Sequence, residues 1–194
     1  MDQLIFKFPF SKKYYEQDFY VASNNFSAYN LIESWPNWPS KWLNIFGSKG
    51  SGKTHLSKIL EKKIDKIKLI EAKDVKNEII EDLTNLDCLI IDSYNNNIDE
   101  KLLYSILNQS KQLENYILIN TITSINNSNI ILNDLKSRIE SFLFIGIDLP
   151  TDDLLKVIIS KTLSEKQIKI NPKLSDYIVN NVERSYEKMF KFLK

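Results

Sequence analysis

Five short apolar runs alternate with helix-like segments, and the first of them leads straight into a glycine-rich loop. Those observations predict an α/β protein: a three-layer sandwich around a parallel five-stranded sheet, with a small C-terminal helical lid. The predicted strands are 42–46, 67–71, 88–92, 116–121 and 142–147. Each is nearly continuous in apolar residues, the pattern of a strand buried on both faces. Between them the clearest helix spans 98 to 113, with Ile98, Leu102, Leu103, Ile106, Leu107 and Leu113 on one stripe. Asn126, Asn127, Ser128 and Asn129 read as a surface loop. The Trp35-Pro36-Asn37-Trp38-Pro39 stretch offers no evident chemistry and is expected to pack the approach to the first strand.

Beyond Pro150 the strand pattern stops. Thr151, Asp152 and Asp153 supply a capping hydroxyl and an acidic first turn. Leu154, Leu155, Val157, Ile158 and Ile159 follow, and Leu174, Tyr177, Ile178 and Val182 carry a second helical stripe. The expected organisation is therefore an N-terminal segment, 1–17, a core, 18–150, and a lid, 151–194.

Composition narrows the class. A chain of 194 residues with 43% hydrophobic content can bury a full core. A net charge of +1 provides no global field for nucleic acid. The single Cys88 excludes an internal disulfide framework and is expected to fill core space. No apolar stretch approaches a membrane span, and Met1-Asp2-Gln3-Leu4 lacks the basic start of a signal peptide, so the expectation is a cytoplasmic protein with no membrane partner. Of 26 basic residues only Arg138 and Arg184 are arginine, the one side chain with a planar fork for phosphate.

The glycine-rich run is Gly47-Ser48-Lys49-Gly50-Ser51-Gly52-Lys53-Thr54, a complete G-x-x-x-x-G-K-[ST] loop. Its glycines let backbone N–H groups cradle phosphate, Lys53 reaches the β- and γ-phosphates, and the Thr54 hydroxyl ligates Mg²⁺. Gly47, Gly50, Ser51, Gly52, Lys53 and Thr54 are thus the expected contacts to ADP or ATP. Cys88-Leu89-Ile90-Ile91-Asp92 supplies an apolar strand with Asp92 at its tip, positioned to hold Mg²⁺ through water. The next residue is Ser93, a poor base where many such ATPases have a second acid, so hydrolysis is expected to be weak or absent. Asn120 and Thr121 end the fourth strand, where either a γ-phosphate sensor or a plain strand end fits. His55 is expected to pack beside the loop rather than to catalyse.

These residues resemble a family. Gly52-Lys53-Thr54-His55-Leu56 is similar to the loop-to-helix junction of the bacterial replication initiator DnaA, an AAA+ ATPase, and Asp148-Leu149-Pro150 to the start of its lid. Leu135-Lys136-Ser137-Arg138-Ile139-Glu140 resembles the DnaA segment that carries an arginine finger, which implies that Arg138 acts in trans. DnaA's C-terminal DNA-binding module is expected to be absent, and Gln3-Leu4-Ile5-Phe6-Lys7-Phe8 resembles a sliding-clamp-binding peptide. Gln3 would bond the groove edge while Leu4 and Phe6 fill apolar pockets. Both features move the resemblance to the shorter relatives of the Hda family. The resemblance implies an adaptor that holds ADP or ATP, docks on the DNA-loaded clamp and stimulates ATP hydrolysis by DnaA. DNA would be met only through the clamp, and a homodimer is left open.

Two positions depart from the family. Glu187 falls where DnaA-like lids carry a sensor arginine, and Arg184 lies one turn earlier. Other classes stay in view. One is an autonomous AAA+ ATPase, a helicase loader or DnaA-like motor; the other is a small-molecule kinase, in which the Arg138 segment has no role.

Overall fold

The structure, a computed structural model, describes residues 18–193. After α1 (Phe26–Glu33) the chain alternates through β1 (Trp42–Gly47), α2 (Lys53–Glu61), β2 (Ile67–Glu71), α3 (Glu78–Asp82), β3 (Cys88–Tyr94), α4 (Glu100–Leu113), β4 (Tyr116–Thr121), α5 (Asn133–Ile139) and β5 (Leu143–Ile147). It closes with α6 (Asp152–Glu165), α7 (Pro172–Asn181) and α8 (Tyr186–Phe192). The five strands form one sheet in the order β2-β3-β4-β1-β5, and every pair is parallel. The predicted α/β class with a parallel five-stranded sheet is what the chain adopts.

Strand periodicity builds the layers, because successive side chains point to opposite faces. Leu43, Ile45, Cys88, Ile90 and Leu118 face one way and pack with Ala28 and Ile32 of α1 and Leu56 and Leu60 of α2. Leu89, Ile91, Ile117 and Ile119 face the other way and pack with Leu103, Ile106 and Leu107 of α4 and Leu135 and Ile139 of α5. Strand order places the phosphate-loop candidate at a switch point. From β1 the chain crosses to β2 at one edge and returns through β3 and β4, whereas from β4 it crosses to β5 on the other side of β1. Crevices at such reversals, outside the carboxyl ends of strands, are where open α/β sheets bind ligands.

Several boundaries differ from the sequence reading for local reasons. The fourth helix begins at Glu100 rather than 98, because the Asp99 carboxylate accepts from Lys101 N and Leu102 N and caps it; Ile98 still enters the core. Phe142 belongs to the turn leaving α5, where its N–H donates to Ile139 O, and its ring packs on Trp42. The Trp35–Trp38 pair and Tyr116 pack edge to face, and Trp38 Nε1 donates to Leu31 O.

The region after Pro150 holds three helices where two stripes were legible. Side chains of Thr151, Asn171 and Ser185 cap α6, α7 and α8 respectively. Leu155, Ile159, Ile178, Val179, Met189 and Leu193 form their own core. At seven residues α8 is too short to show a helical period. No helix among the described residues is long and apolar enough to cross a membrane.

Candidate functional site

β1 ends at Gly47 and α2 starts at Lys53, so residues 48–52 form the turn between them. Gly50 and Gly52 take φ of +86° and +99°, left-handed values that side chains rarely adopt. Each is also closely covered. A Cβ on Gly52 would meet the Phe19 ring at 2.8 Å, and one on Gly50 would meet Tyr186 Cβ at 3.1 Å. The loop therefore runs between an aromatic residue of the N-terminal turn and the last helix of the lid. Phe19 continues outward against Tyr29, stacked at 5.7 Å, and His55, edge-on at 5.3 Å. His55 thus packs beside the loop, as the sequence suggested.

The Lys53 ammonium folds onto its own loop, donating to Gly47 O at 2.6 Å and Ser48 O at 3.0 Å. Burial lowers its pKa, an effect that the negative charge of Asp92 partly offsets. Thr54 Oγ1 donates to Asp92 Oδ2 at 2.7 Å. The Asn120 amide donates to the other Asp92 oxygen at 2.8 Å and to Ser57 Oγ at 2.7 Å. Asp92 is 2% exposed and Asn120 fully buried.

Strand parity explains why these groups converge. Asp92 follows Cys88 and Ile90 on the face that receives α2, and Asn120 follows Leu118 on that same face. Thr121, one residue on, points away. Its hydroxyl accepts from Asn44 Nδ2, whose carbonyl oxygen takes the N–H of Ile125. Of the two strand-end residues, Asn120 is therefore the one at the site and Thr121 is a strut for the following loop.

Ser93 sits in a bulge. Ile91 pairs with Ile119, but the next partners are Tyr94 and Thr121, so β3 carries one extra residue there. Ser93 absorbs it at φ +58°, exposed. The shift sends Tyr94 into the opposite core, with Leu89 and Ile91, while Asp92 keeps its aim at α2.

What can this group hold? Two buried polar atoms here lack partners among the described residues, Ser48 Oγ and Asn120 Oδ1. Beside them lie an ammonium that bonds loop oxygens and a hydroxyl in contact with a carboxylate. That donor set fits phosphate at the loop and a divalent cation between Thr54 and Asp92.

The remaining candidates lie elsewhere. Arg138 is on α5, on the sheet face away from α2, where it is half-buried and its Nη2 donates to Asn108 Oδ1 of α4 at 2.9 Å. Glu187 does stand at the loop, 3.7 Å from the Lys49 ammonium. Arg184 turns away to Asp152, 3.1 Å distant. Gln3, Leu4 and Phe6 lie outside the described residues. Sequence reasoning missed Phe19, Ser57, Asn108 and Tyr186, none of which belongs to a motif with a spacing signature.

No protein-family model matches the chain, and no curated protein matches it by sequence. Solved structures do match. Domain III of the Thermotoga maritima replication initiation protein DnaA superposes with TM-score 0.75 at 20% identity, covering 94% of this chain and 86% of that one. A replication initiator DnaA bound to AMPPCP and single-stranded DNA gives TM-score 0.75 at 21% identity, over 94% of this chain and 64% of that one. The Thermotoga maritima RuvB Holliday junction branch migration motor is more distant, with TM-score 0.58 at 22% identity, over 78% and 52% of the two chains. This chain thus spans less than two thirds of the longer DnaA structure. The shared feature is the fold, a five-stranded parallel sheet between helices of the form seen in DnaA domain III.

Proposed function

We propose that this chain is an AAA+ nucleotide-binding adaptor. It holds ADP or ATP with Mg²⁺ at the 47–54 loop, docks on the sliding clamp through Gln3, Leu4 and Phe6, and offers Arg138 to the nucleotide of ATP-bound DnaA. The observation that carries the nucleotide part is the hydrogen-bonded chain Thr54–Asp92–Asn120–Ser57, set beside an ammonium and two polar atoms without partners among the described residues. The likeness to DnaA domain III supports a role in replication.

In this reading the Gly50 and Gly52 turns aim N–H groups at phosphate, and Lys53 leaves the loop carbonyls to neutralise it. Thr54, and Asp92 through water, would hold Mg²⁺, which would supply positive charge against phosphate. Asn120 fixes the Asp92 carboxylate by one oxygen and leaves the other to Thr54. The bulge residue Ser93 offers a hydroxyl where water would need a base, so the chain turns ATP over slowly by itself. Arg138 acts on another chain: its guanidinium would bridge phosphate oxygens as charge develops, a contribution worth roughly 10³–10⁵ in rate in GTPase systems.

The test has three arms. ADP with Mg²⁺ should raise the melting temperature of the wild type and leave Lys53→Ala unmoved. Immobilised clamp should retain the wild type and lose Gln3→Ala/Leu4→Ala. With clamp, DNA and DnaA–ATP, hydrolysis should rise with the wild type and not with Arg138→Ala. Equal stimulation by Arg138→Ala would remove the adaptor reading. A second reading, an autonomous motor, is favoured by the unpartnered Asn120 Oδ1 beside Asp92, a place for a water to be held. Brisk ATP turnover by the chain alone would establish it instead.

A further inference from the structure

We infer that Asn108 is the positioning residue of Arg138, holding its guanidinium ready on α4 through a neutral acceptor; this rests on Arg138 acting on a nucleotide held by another chain. The contact is specific. Arg138 Nη2 donates to Asn108 Oδ1 at 2.9 Å, and no carboxylate pairs with Arg138 among the described residues, whereas the other arginine, Arg184, has Asp152.

Both ends of the contact are fixed. Asn108 stands on a 14-residue helix capped at its start by Asp99 and rooted by Leu103, Ile106 and Leu107. Arg138 stands on α5, rooted by Leu135 and Ile139. The side chain between these two helices is half-buried, so it has lost much of its rotamer freedom before any partner arrives.

The acceptor's chemistry suits a group that must keep its charge while it is held. A guanidinium presents five N–H donors, yet among the described residues one bond orients it, and its buried Nε has no partner there. A carboxylate at 108 would bond it about twice as strongly and would cancel the charge that phosphate must feel. A carboxamide orients without neutralising. The remaining N–H groups of the fork are left for phosphate oxygens while Nη2 keeps its bond to Asn108.

A purely structural role for Asn108, as glue between α4 and α5, makes the opposite forecast for one variant. Asn108→Asp strengthens the glue, so a structural role predicts undiminished stimulation. Positioning predicts that the saturated stimulated rate of DnaA–ATP hydrolysis falls by about tenfold, because Arg138 is locked and neutralised. Asn108→Ala loosens the hold. It should raise the concentration for half-maximal stimulation by about fivefold, the equivalent of one neutral hydrogen bond, with the saturated rate within about twofold of wild type.

The isolated chain gives an independent reading. With two arginines in the sequence, the ¹⁵N spectrum contains two Nε–H signals. Asn108→Asp should slow rotation about the Arg138 Nε–Cζ bond and leave Arg184 unchanged, and melting curves of both variants check that they fold. Asn108→Gln, which keeps the amide but displaces it, should resemble Asn108→Ala. If Asn108→Asp stimulates like wild type while Arg138→Ala is inert, the positioning role falls and the finger stands. If Arg138→Ala stimulates like wild type, both fall.

Discussion

The Asn24 amide donates to the Tyr186 hydroxyl at 2.5 Å, joining the turn before α1 to the last helix of the lid. The same amide donates to Asp148 O at 3.2 Å, and the Asp148 N–H returns to Asn24 O at 3.1 Å. One buried asparagine thus ties together the N-terminal turn, the end of the sheet and the helix that covers Gly50. The contact of α8 with the 47–54 loop depends on polar atoms far from that loop in sequence.

Tyr186→Phe should therefore loosen α8 without disturbing the sheet. Loss of one buried hydrogen bond costs about 1 kcal/mol, and here it falls on the lid. Amide exchange should speed up in α8 while Leu43 and Ile90 keep their protection. Unchanged exchange in α8 would show that the apolar lid core alone seats the helix.

Gly52→Ala should destabilise the chain by about 1–3 kcal/mol, the usual cost of a left-handed non-glycine residue held in place. The new Cβ also meets the Phe19 ring at 2.8 Å. Denaturant midpoints measure the loss, and ADP should no longer raise the melting temperature. The double variant with Phe19→Ala relieves the collision but not the φ, so it should recover only part of the stability. Full recovery would place the whole cost in the contact.

Nucleotide affinity should fall as pH rises through the lowered pKa of Lys53. Burial makes Lys53 of the nucleotide-free chain give up its proton below the ordinary lysine value. Phosphate favours the charged form, so the complex binds more protons than the free chain in that window, and rising pH weakens binding. Calorimetric titration of ADP from about neutral to about pH 10 reads this directly, with Lys53→Arg as a control that stays charged. A flat profile would separate Lys53 from phosphate.

Ser93→Gly should stabilise the chain by about 0.5–1 kcal/mol, since its φ of +58° suits glycine better than a side chain. Ser93→Val should destabilise it by more, because a branched Cβ is poorly accommodated there. Equilibrium urea unfolding orders the three. A wild type more stable than Ser93→Gly would mean that the serine side chain stabilises the bulge.

Much of the fold was legible because its signals are local. The runs 67–71 and 116–121 are strands with the bounds read from sequence; β1 runs one residue further, β3 extends through the bulge at Ser93, and β5 starts one residue later because Phe142 stays in the turn leaving α5. The loop 47–54 was legible for the same reason: left-handed turns need glycine, wherever the rest of the chain lies. The third lid helix was not, since α8 depends on Met189 and Leu193 packing against α6 and α7.

The site divides along similar lines. Sequence by itself determined the residue types at the loop, the apolar strand ending at Asp92 and the serine that follows it. It left Asn120 and Thr121 equivalent. Tertiary structure decided between them, because the parallel register of β3 and β4 puts Asn120 on the face of Asp92 and turns Thr121 to Asn44. It also decided that Glu187 stands at the loop and Arg184 does not, and that Arg138 rests on Asn108. Those outcomes depend on where distant elements dock, and docking is set by the summed packing of three cores. A turn or a strand needs only its own few residues.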